Sequence, residues 1–354
     1  MIYRELTMLD ILNKYDVFLV DAYGVFWDGA DFIKGTKETM KSMVQKGKVV
    51  IVLSNASQRS EDAMKKYSKT GLNKGEHYHE FVTSGEVTYK KLEGGLSIKG
   101  NNLKKYYTFG TPNNKLFEGL DYESVPLDQA EFIYISVPQL TEEQKELLGN
   151  KYKLYESMAT PSDGKVRWDT TDILAFSSEL KKIKEIALAK SIPVLNANPD
   201  ETAPEKCKAT NTTNFVVRQG AIANYLKEQG LDVYNVGKPY IDVYSYCREL
   251  LIKKGIDVNS AKVVMIGDTI ETDIAGAHNA TNHLNWKVDS ILTLTGNAAR
   301  TMQGLDVSKK IQLQEMLTKY PPTVTIDSFG IQGVVSLPIE HSSVLGATPE
   351  KDIV

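Results

Sequence analysis

Three short apolar runs in the sequence each end in a polar side chain that can take part in chemistry. These side chains and the runs before them are Asp21 after residues 17–20, Ser54 after residues 49–53, and Asp268 after residues 263–266 and Gly267. Apolar runs of this length are typical of strands that are buried on both faces of a parallel sheet. Ligands of such sheets bind beyond the carboxyl ends of the strands, so the three side chains are predicted to meet at one edge.

Together with the ammonium group of Lys238, this set of side chains is suited to handling phosphate. A carboxylate can attack phosphorus and form an aspartyl-phosphate. Magnesium prefers carboxylate and phosphate oxygens, and it offsets the repulsion between an attacking carboxylate and a phosphate dianion. A lysine and a hydroxyl can bind the oxygens of the transferred group. Each residue alone also has a structural explanation, since Asp and Ser often cap helices. The combination is what predicts a site.

The elements that must position these side chains alternate between strand and helix. Helices are predicted over residues 37–46, 60–70 and 240–254, between or after the strands that carry the motifs. This alternation indicates an α/β protein with a doubly wound parallel sheet.

The segment from residue 95 to residue 231 separates the second of these strands from the third. It holds further predicted strands and a predicted helix over residues 177–190. We interpret it as an inserted α/β cap domain. The core domain would then comprise residues 1–94 and 232–330. Residues 331–354 lack hydrophobic periodicity and are expected to form a loosely packed C-terminal tail.

Four motifs, taken in order, resemble those of the haloacid dehalogenase (HAD) superfamily. The motifs are VFLVDAYGVFWDG, VVIVLSNASQRS, VGKPYIDVY and MIGDTIETDIAGA. A further stretch, LNANPDETAP, resembles a signature of the NagD-like subclass (class IIA), which has a large α/β cap between the second and third motifs. The resemblance covers nearly everything from Asp16 to about Gly330. It implies a HAD core, a cap and a Mg²⁺-dependent phosphatase.

The resemblance also implies roles for individual residues. The implied catalytic and substrate-binding residues are Asp21 as nucleophile, Ser54 as the phosphate-binding hydroxyl with Asn55 beside it, Lys238 as the phosphate-binding lysine, and Asn198 and Asp200 of the Asn-Pro-Asp signature as substrate-positioning residues. The implied magnesium site consists of Asp21, the backbone carbonyl of Tyr23, Asp268 and the supporting acid Asp273.

Tyr23 departs from the family pattern. Members usually carry a second aspartate two residues after the nucleophile, and it protonates the leaving group and later activates water. A carbonyl at this position can still bind magnesium, whatever the side chain. A phenol has a pKa near 10 and is a poor replacement for a carboxyl group. The sequence therefore predicts an enzyme with slow turnover.

The leading interpretation is hydrolysis of a small phosphorylated metabolite or an aryl phosphate through a phosphorylated Asp21. A phosphoprotein substrate, for example phosphotyrosine, is an alternative, since a phenolate leaves with little help from an acid. A second alternative is a catalytically silent HAD fold that binds a phosphorylated ligand or a protein partner.

Composition limits the remaining classes of partner. The net charge of −3 gives no general electrostatic case for nucleic acid. The chain has only two cysteines, Cys207 and Cys247, which suggests a reducing, cytoplasmic location. We see no signal peptide and no apolar run near 18 residues, so no transmembrane segment is expected. The sequence leaves the oligomeric state open.

Overall fold

The computed structural model describes most of the chain as helices and strands. The described residues are 8–98, 100–111, 114–138, 177–207, 212–302, 307–330 and 335–336. The strands are β1 (Val17–Val20), β2 (Val49–Ser54), β3 (Glu80–Thr83), β4 (Ser97–Ile98), β5 (Asn101–Asn102), β6 (Lys105–Phe109), β7 (Glu123–Ser124), β8 (Phe132–Ile135), β9 (Val194–Asn196), β10 (Thr202–Cys207), β11 (Thr212–Val217), β12 (Val233–Asn235), β13 (Val263–Gly267), β14 (Val288–Thr293), β15 (Val324–Ile326) and β16 (Val335–Ser336).

Helices lie between most of these strands. They are α1 (Met8–Lys14), α2 (Thr36–Gln45), α3 (Ser60–Ser68), α4 (Ser84–Glu93), α5 (Asn114–Phe117), α6 (Ser177–Lys190), α7 (Gln219–Glu228), α8 (Ile241–Lys253), α9 (Ala275–His283), α10 (Gly296–Met302) and α11 (Val307–Lys319). None of the helices in the described ranges combines the length and the apolar character that crossing a membrane requires.

The larger sheet has the strand order β16-β15-β14-β13-β1-β2-β3. Its neighbouring strands are parallel, except for the antiparallel pair β15 and β16. Successive residues of the central strand β1 point to opposite faces. Val17 and Leu19 join one apolar cluster with residues of α8 and α9, whereas Phe18 and Val20 join another with residues of α2 and α3. Helices thus cover both faces of the sheet, which confirms the predicted doubly wound α/β core.

The smaller sheet has the order β12-β9-β8-β6-β7, with every neighbouring pair parallel. Helix α6 packs against it, and Leu180, Ile183 and Ala187 lie in one apolar cluster with Ile133 and Val194. A separate antiparallel hairpin is formed by β10 and β11. This second α/β unit is inserted between β3 and β13 of the core, as the sequence predicted.

Two predicted domain boundaries, at the end of the cap and at the end of the core, differ from those in the structure. Strand β12 pairs with β9 of the smaller sheet, so the cap runs to Asn235 and not to residue 231. Its three residues directly precede the VGKP motif and therefore looked like part of the core. Val335 and Ser336 add an edge strand to the core sheet beside β15, within the segment that was expected to be a loose tail. The other residues of 331–354 lie outside the described part of the chain.

Candidate active site

The carboxyl ends of β2, β1 and β13 bring the three polar side chains together. Strand β1 lies between the other two in register, and the Asp21 N–H donates to the carbonyl oxygen of Ile266 at 2.9 Å. Carboxylate oxygens of Asp21, Asp268 and Asp273 all lie within 4.8 Å of one another. These three residues are at most 9% exposed, and Ser54 beside them is also buried. The structure thus gathers the acidic residues that the sequence singled out.

Lys238 provides the positive charge of the site. It lies in the loop between β12 and α8, and its side chain is buried. Its Nζ is 2.6 Å from Asp21 Oδ1 and 2.7 Å from Asp273 Oδ1. Burial lowers the pKa of Lys238, but attraction to Asp21, Asp273 and Asp200 outweighs this, so the pKa lies above its usual range. Lys238 is therefore a fixed ammonium group beside the predicted nucleophile.

A π-helical turn over Ile270–Ile274 positions Asp273. Such turns are rare and often occur at functional sites. Asp273 Oδ2 accepts the Thr269 N–H at 3.1 Å. The carboxyl group packs so closely on Gly267 that a Cβ atom there would lie 2.1 Å from Asp273 Cβ. Glycine at the end of β13 is thus required for this arrangement.

Asp268 is held by backbone and hydroxyl groups. Its Oδ2 accepts the Asn297 N–H at 2.6 Å, and its Oδ1 accepts the Thr269 hydroxyl at 3.1 Å. A Cβ atom on either Gly24 or Gly296 would lie 2.0 Å from Asp268 Oδ2, and both glycines have positive φ, 81° and 49°. Sequence reasoning missed Gly24, Gly296 and Asn297. Gly296 and Asn297 could have been predicted as site residues, because they follow β14, another parallel strand that ends at the same edge of the sheet.

The site holds more negative than positive charge. Burial raises the pKa of Asp21 to about 7, against the opposing effect of Lys238. Burial, with the charges of Asp273 and Asp21, holds the pKa of Asp268 well above its usual range. Among the described residues, no Lys, Arg or His forms an ion pair with Asp268. The cluster thus has three carboxyl groups and one ammonium group.

This donor set fits a hard divalent cation. Its ligand atoms are all oxygens, which Mg²⁺ prefers, and the surplus of buried negative charge would be balanced by the ion. Asp21, Asp268 and Asp273 would hold the ion, and the Tyr23 carbonyl remains a predicted ligand. Lys238 lies beside this donor set, where its ammonium group could also bind the oxygens of a phosphate.

The Asn55 side chain is hydrogen-bonded within the protein. Its Oδ1 accepts the Lys238 N–H at 2.7 Å, and its Nδ2 donates to the Lys238 carbonyl at 2.9 Å and to Asp200 Oδ1 at 2.8 Å. Both amide hydrogens are thus used within the protein. The side chain therefore positions Lys238, and a contact between Asn55 and the substrate stays a prediction.

The Asn-Pro-Asp signature forms a loop of the cap that lies against the core. Asn198 Oδ1 accepts the Asp200 N–H at 3.0 Å, and its Nδ2 donates to Gln219 Oε1 at 3.2 Å. Gln219 in turn donates to the Ser57 hydroxyl at 2.9 Å. Burial raises the pKa of Asp200 to about 6, against the charge of Lys238 and the hydrogen bond from Asn55. Asn198 therefore shapes the loop, and Asp200 brings a carboxyl group close to Lys238. Sequence reasoning missed Gln219, which carries no motif.

The Tyr23 side chain contacts a lysine that the sequence did not single out. Lys66 Nζ donates to Tyr23 Oη at 2.7 Å and lies 5.0 Å from the centre of the Tyr23 ring. The ring is partly exposed. The Tyr23 phenol thus has an ammonium group bound to its hydroxyl.

Two protein-family models and a relative of known activity match the chain. A haloacid dehalogenase-like hydrolase model matches residues 18–119, and a HAD-hydrolase-like model matches residues 235–328. The chain is 27% identical over 326 residues to a 4-nitrophenylphosphatase of Schizosaccharomyces pombe, and the match covers 89% of this chain and 91% of that protein.

Solved structures share the whole architecture. A possible sugar phosphatase of the HAD superfamily from Cytophaga hutchinsonii superimposes with a TM-score of 0.65 at 18% identity, covering 92% of this chain and 98% of that one. A glycerol phosphate phosphatase from Mycobacterium tuberculosis, solved with magnesium, superimposes with a TM-score of 0.55 at 16% identity, covering 91% and 77%. At these identities the likeness establishes the fold.

The matched models, the capped fold and the buried acidic cluster define the class of protein. The chain belongs to the haloacid dehalogenase superfamily. Within that superfamily it is a capped phosphatase of the NagD-like type, a phosphoric monoester hydrolase, and its buried acidic cluster fits Mg²⁺.

Proposed function

We propose that the protein hydrolyses small phosphate monoesters through a phosphorylated Asp21. The observation that carries the proposal is the position of Lys238 Nζ, 2.6 Å from Asp21 Oδ1 and 2.7 Å from Asp273 Oδ1, beside the acidic cluster. A carboxylate that attacks phosphorus needs a nearby cation to hold the phosphoryl oxygens, and Lys238 is such a cation.

In the first step the Asp21 carboxylate attacks phosphorus. A bond forms between an Asp21 oxygen and phosphorus, and the bond from phosphorus to the ester oxygen breaks. Lys238 and the Ser54 hydroxyl bind the non-bridging oxygens. Bound Mg²⁺ would supply charge compensation between the carboxylate and the phosphate dianion. An aryl oxygen can leave as the anion, whereas an alkyl oxygen needs a proton as it departs.

In the second step water attacks the phosphorus of phospho-Asp21. The bond between Asp21 and phosphorus breaks, which restores the carboxylate and releases inorganic phosphate. The proton that water loses goes to the phosphate or to solvent, because Tyr23 stands where a carboxylate would usually accept it. We expect this step to be slow for the same reason.

The contacts between cap and core favour a small substrate. The cap loop is hydrogen-bonded to the core through Asp200 with Asn55 and through Gln219 with Ser57. Both core residues lie in the loop directly after Ser54. The cap therefore covers the phosphate-binding hydroxyl closely, which favours a small ester over a phosphorylated side chain on a folded protein.

The test is release of inorganic phosphate from a panel of aryl and alkyl phosphates and a phosphotyrosine peptide, with Mg²⁺ and with EDTA. We expect Mg²⁺-dependent release from aryl phosphates. Asp21→Asn, purified in parallel, controls for a contaminating phosphatase. Equal release by both proteins, or none from any ester, would exclude the proposed reaction. Release confined to the peptide would favour a phosphoprotein substrate.

A further inference from the structure

We propose that Lys66 binds a negatively charged group on the leaving portion of the substrate. The enzyme would then favour phosphate monoesters that carry a carboxylate or a second phosphate a few bonds from the phosphorus. This inference rests on the proposed function and adds to it the chemical class of the substrate.

The first observation is where the Lys66 ammonium group lies. Tyr23 is two residues after the nucleophile Asp21, and its hydroxyl is 2.7 Å from Lys66 Nζ. The ammonium group is therefore separated from the backbone beside the nucleophile by one tyrosine side chain and one hydrogen bond. Tyr67, the next residue on α3, packs edge-on against the Trp27 ring, with the ring centres 5.4 Å apart. Lys66 and Tyr67 thus both contact the segment that follows β1.

The second observation is how the Lys66 side chain is held. Its Nζ lies over three aromatic rings, at 5.0 Å from the centre of Tyr23, 5.2 Å from Tyr67 and 5.7 Å from Trp27. Aromatic faces attract a cation and fix its position without cancelling its charge. Holding a lysine in this way lowers the entropy that is lost when an anion binds.

The third observation is the contrast with a neighbouring lysine. Lys65 Nζ forms an ion pair with Glu61 at 2.7 Å. In the described part of the chain, no carboxylate pairs with Lys66. An ammonium group has three N–H donors, and Tyr23 Oη accepts one of them. Lys66 is thus an ordered cation with donors available to a ligand.

Charge in the rest of the site explains why a cation at this position would matter. The acidic cluster of Asp21, Asp268 and Asp273 has one ammonium group for three carboxyl groups. A substrate with an additional anion would be repelled by this cluster. A fixed positive charge on the side of the leaving group offsets the repulsion and selects that class of ester.

The test compares phenyl phosphate with its 2-, 3- and 4-carboxyphenyl counterparts in wild type, Lys66→Met and Lys66→Arg. Methionine keeps an apolar stem over the rings without the charge. Lys65→Met is the matched control, because it removes the adjacent exposed lysine. The measured quantity is the ratio of kcat/KM for each carboxyphenyl ester to kcat/KM for phenyl phosphate.

We expect wild type to favour at least one carboxyphenyl ester, and Lys66→Met to lose about 10-fold or more of that ratio, the size of one hydrogen bond to a charged group. Lys65→Met should keep the ratio, Lys66→Arg should keep most of it, and added salt should reduce it in wild type. An equal loss for all esters in Lys66→Met, or no preference in wild type, would overturn the inference and leave the proposed function standing. If wild type hydrolyses none of the esters, both proposals fail.

Discussion

Asn55 binds the main chain of Lys238 at both of its polar groups. Its Oδ1 accepts the Lys238 N–H at 2.7 Å, and its Nδ2 donates to the Lys238 carbonyl at 2.9 Å. This pairing connects the loop after β2 with the loop before α8. The ammonium group at the end of the same lysine is then directed to Asp21 and Asp273. The position of the proposed phosphate-binding cation thus depends on the side-chain amide of Asn55.

The first prediction concerns this pairing. Asn55→Ala leaves the buried N–H and carbonyl of Lys238 without their partner, which costs about 1–3 kcal/mol for each group. We expect kcat to fall by about 10- to 100-fold, since a displaced lysine stabilises the transferring phosphoryl group less well. Asn55→Asp keeps the acceptor for the Lys238 N–H but places a carboxylate oxygen against Asp200 Oδ1 and the Lys238 carbonyl, where Asn55 Nδ2 now donates at 2.8 and 2.9 Å, so its kcat should be no higher than that of Asn55→Ala. Unchanged kcat in Asn55→Ala, measured with an aryl phosphate at saturating Mg²⁺, would contradict the positioning role.

The second prediction concerns Asp21. Asp21→Asn removes the attacking charge and one metal ligand at nearly constant shape, so Mg²⁺-dependent hydrolysis should become undetectable while the fold is retained. The variant should also differ from wild type in how its stability depends on pH. In an unfolded chain this carboxyl group ionises near pH 3.8, whereas burial in the folded protein raises its pKa to about 7. Between these values the folded state binds more protons than the unfolded state, so wild type loses stability as pH rises through this window.

Asparagine cannot ionise, so Asp21→Asn does not lose this stability as pH rises. In EDTA at pH 8 we expect it to melt higher than wild type by at least about 2 °C, which corresponds to roughly 1.5 kcal/mol or more for a protein of this size. The difference should shrink as pH falls toward 4. Added Mg²⁺ should stabilise wild type more, because a ligand that binds the folded state raises its stability. Melting curves over this pH range provide the check. A lower melting temperature for the variant at pH 8 would contradict the conclusion that the site holds more negative than positive charge.

The sequence predicted the fold because its signals were local. Fully apolar four-residue strands and the helix over Ser177–Lys190 are visible in the sequence alone, and the structure has them. Residues at the ends of parallel strands could also be placed together, since the sheet dictates their meeting. Asp21, Ser54 and Asp268 were found in this way.

The long-range contacts that position the site residues could not be predicted from the sequence. The bonds from Asn55 to Lys238 and Asp200 join residues 183 and 145 positions apart. The bond to Asp200 depends on how the cap lies on the core, and the bond to Lys238 joins two core loops that are far apart in the sequence. No local pattern encodes either contact. Lys66 was missed because an exposed lysine on a helix looks like any solvated side chain.

The third prediction concerns a glycine of the metal site. A Cβ atom on Gly24 would lie 2.0 Å from Asp268 Oδ2, and the residue has φ 81°. Gly24→Ala should displace the Asp268 carboxylate and weaken Mg²⁺ binding, as Asp268→Ala should also do. The matched control is Gly75→Ala, because Gly75 has φ 82° and no atom within 4 Å of its added Cβ.

Both alanines carry the strain of a left-handed backbone, about 1–2 kcal/mol. We therefore expect similar losses of stability from the backbone term, with an additional loss in Gly24→Ala from the clash. Only Gly24→Ala should raise the Mg²⁺ concentration needed for half-maximal activity, by about 10-fold or more if one carboxylate ligand is lost. A magnesium titration of activity separates the two variants. Wild-type magnesium dependence in Gly24→Ala would show that Asp268 lies outside the metal site.

The fourth prediction concerns Tyr23, where the family usually has a carboxylate. A general acid contributes about 10²- to 10⁴-fold to rate. The benefit is largest for a poor leaving group, because an alkoxide needs its proton in the transition state and an aryloxide needs much less help. The native protein should therefore favour aryl over alkyl phosphates strongly. Tyr23→Asp should raise kcat/KM for an alkyl phosphate by more than for an aryl phosphate.

The contact with Lys66 makes a second control necessary. Tyr23→Asp removes the phenol from Lys66 Nζ as well as adding a carboxyl group. Tyr23→Phe removes only the hydroxyl and keeps the ring under the ammonium group. If the added carboxyl group is what matters, Tyr23→Asp should gain alkyl hydrolysis and Tyr23→Phe should not. A gain in both variants would mean that the bond to Lys66 restrains the native enzyme. If the native protein hydrolyses alkyl phosphates as fast as aryl phosphates, another group already supplies the proton. Asp200, whose pKa is raised to about 6, would then be the first residue to replace.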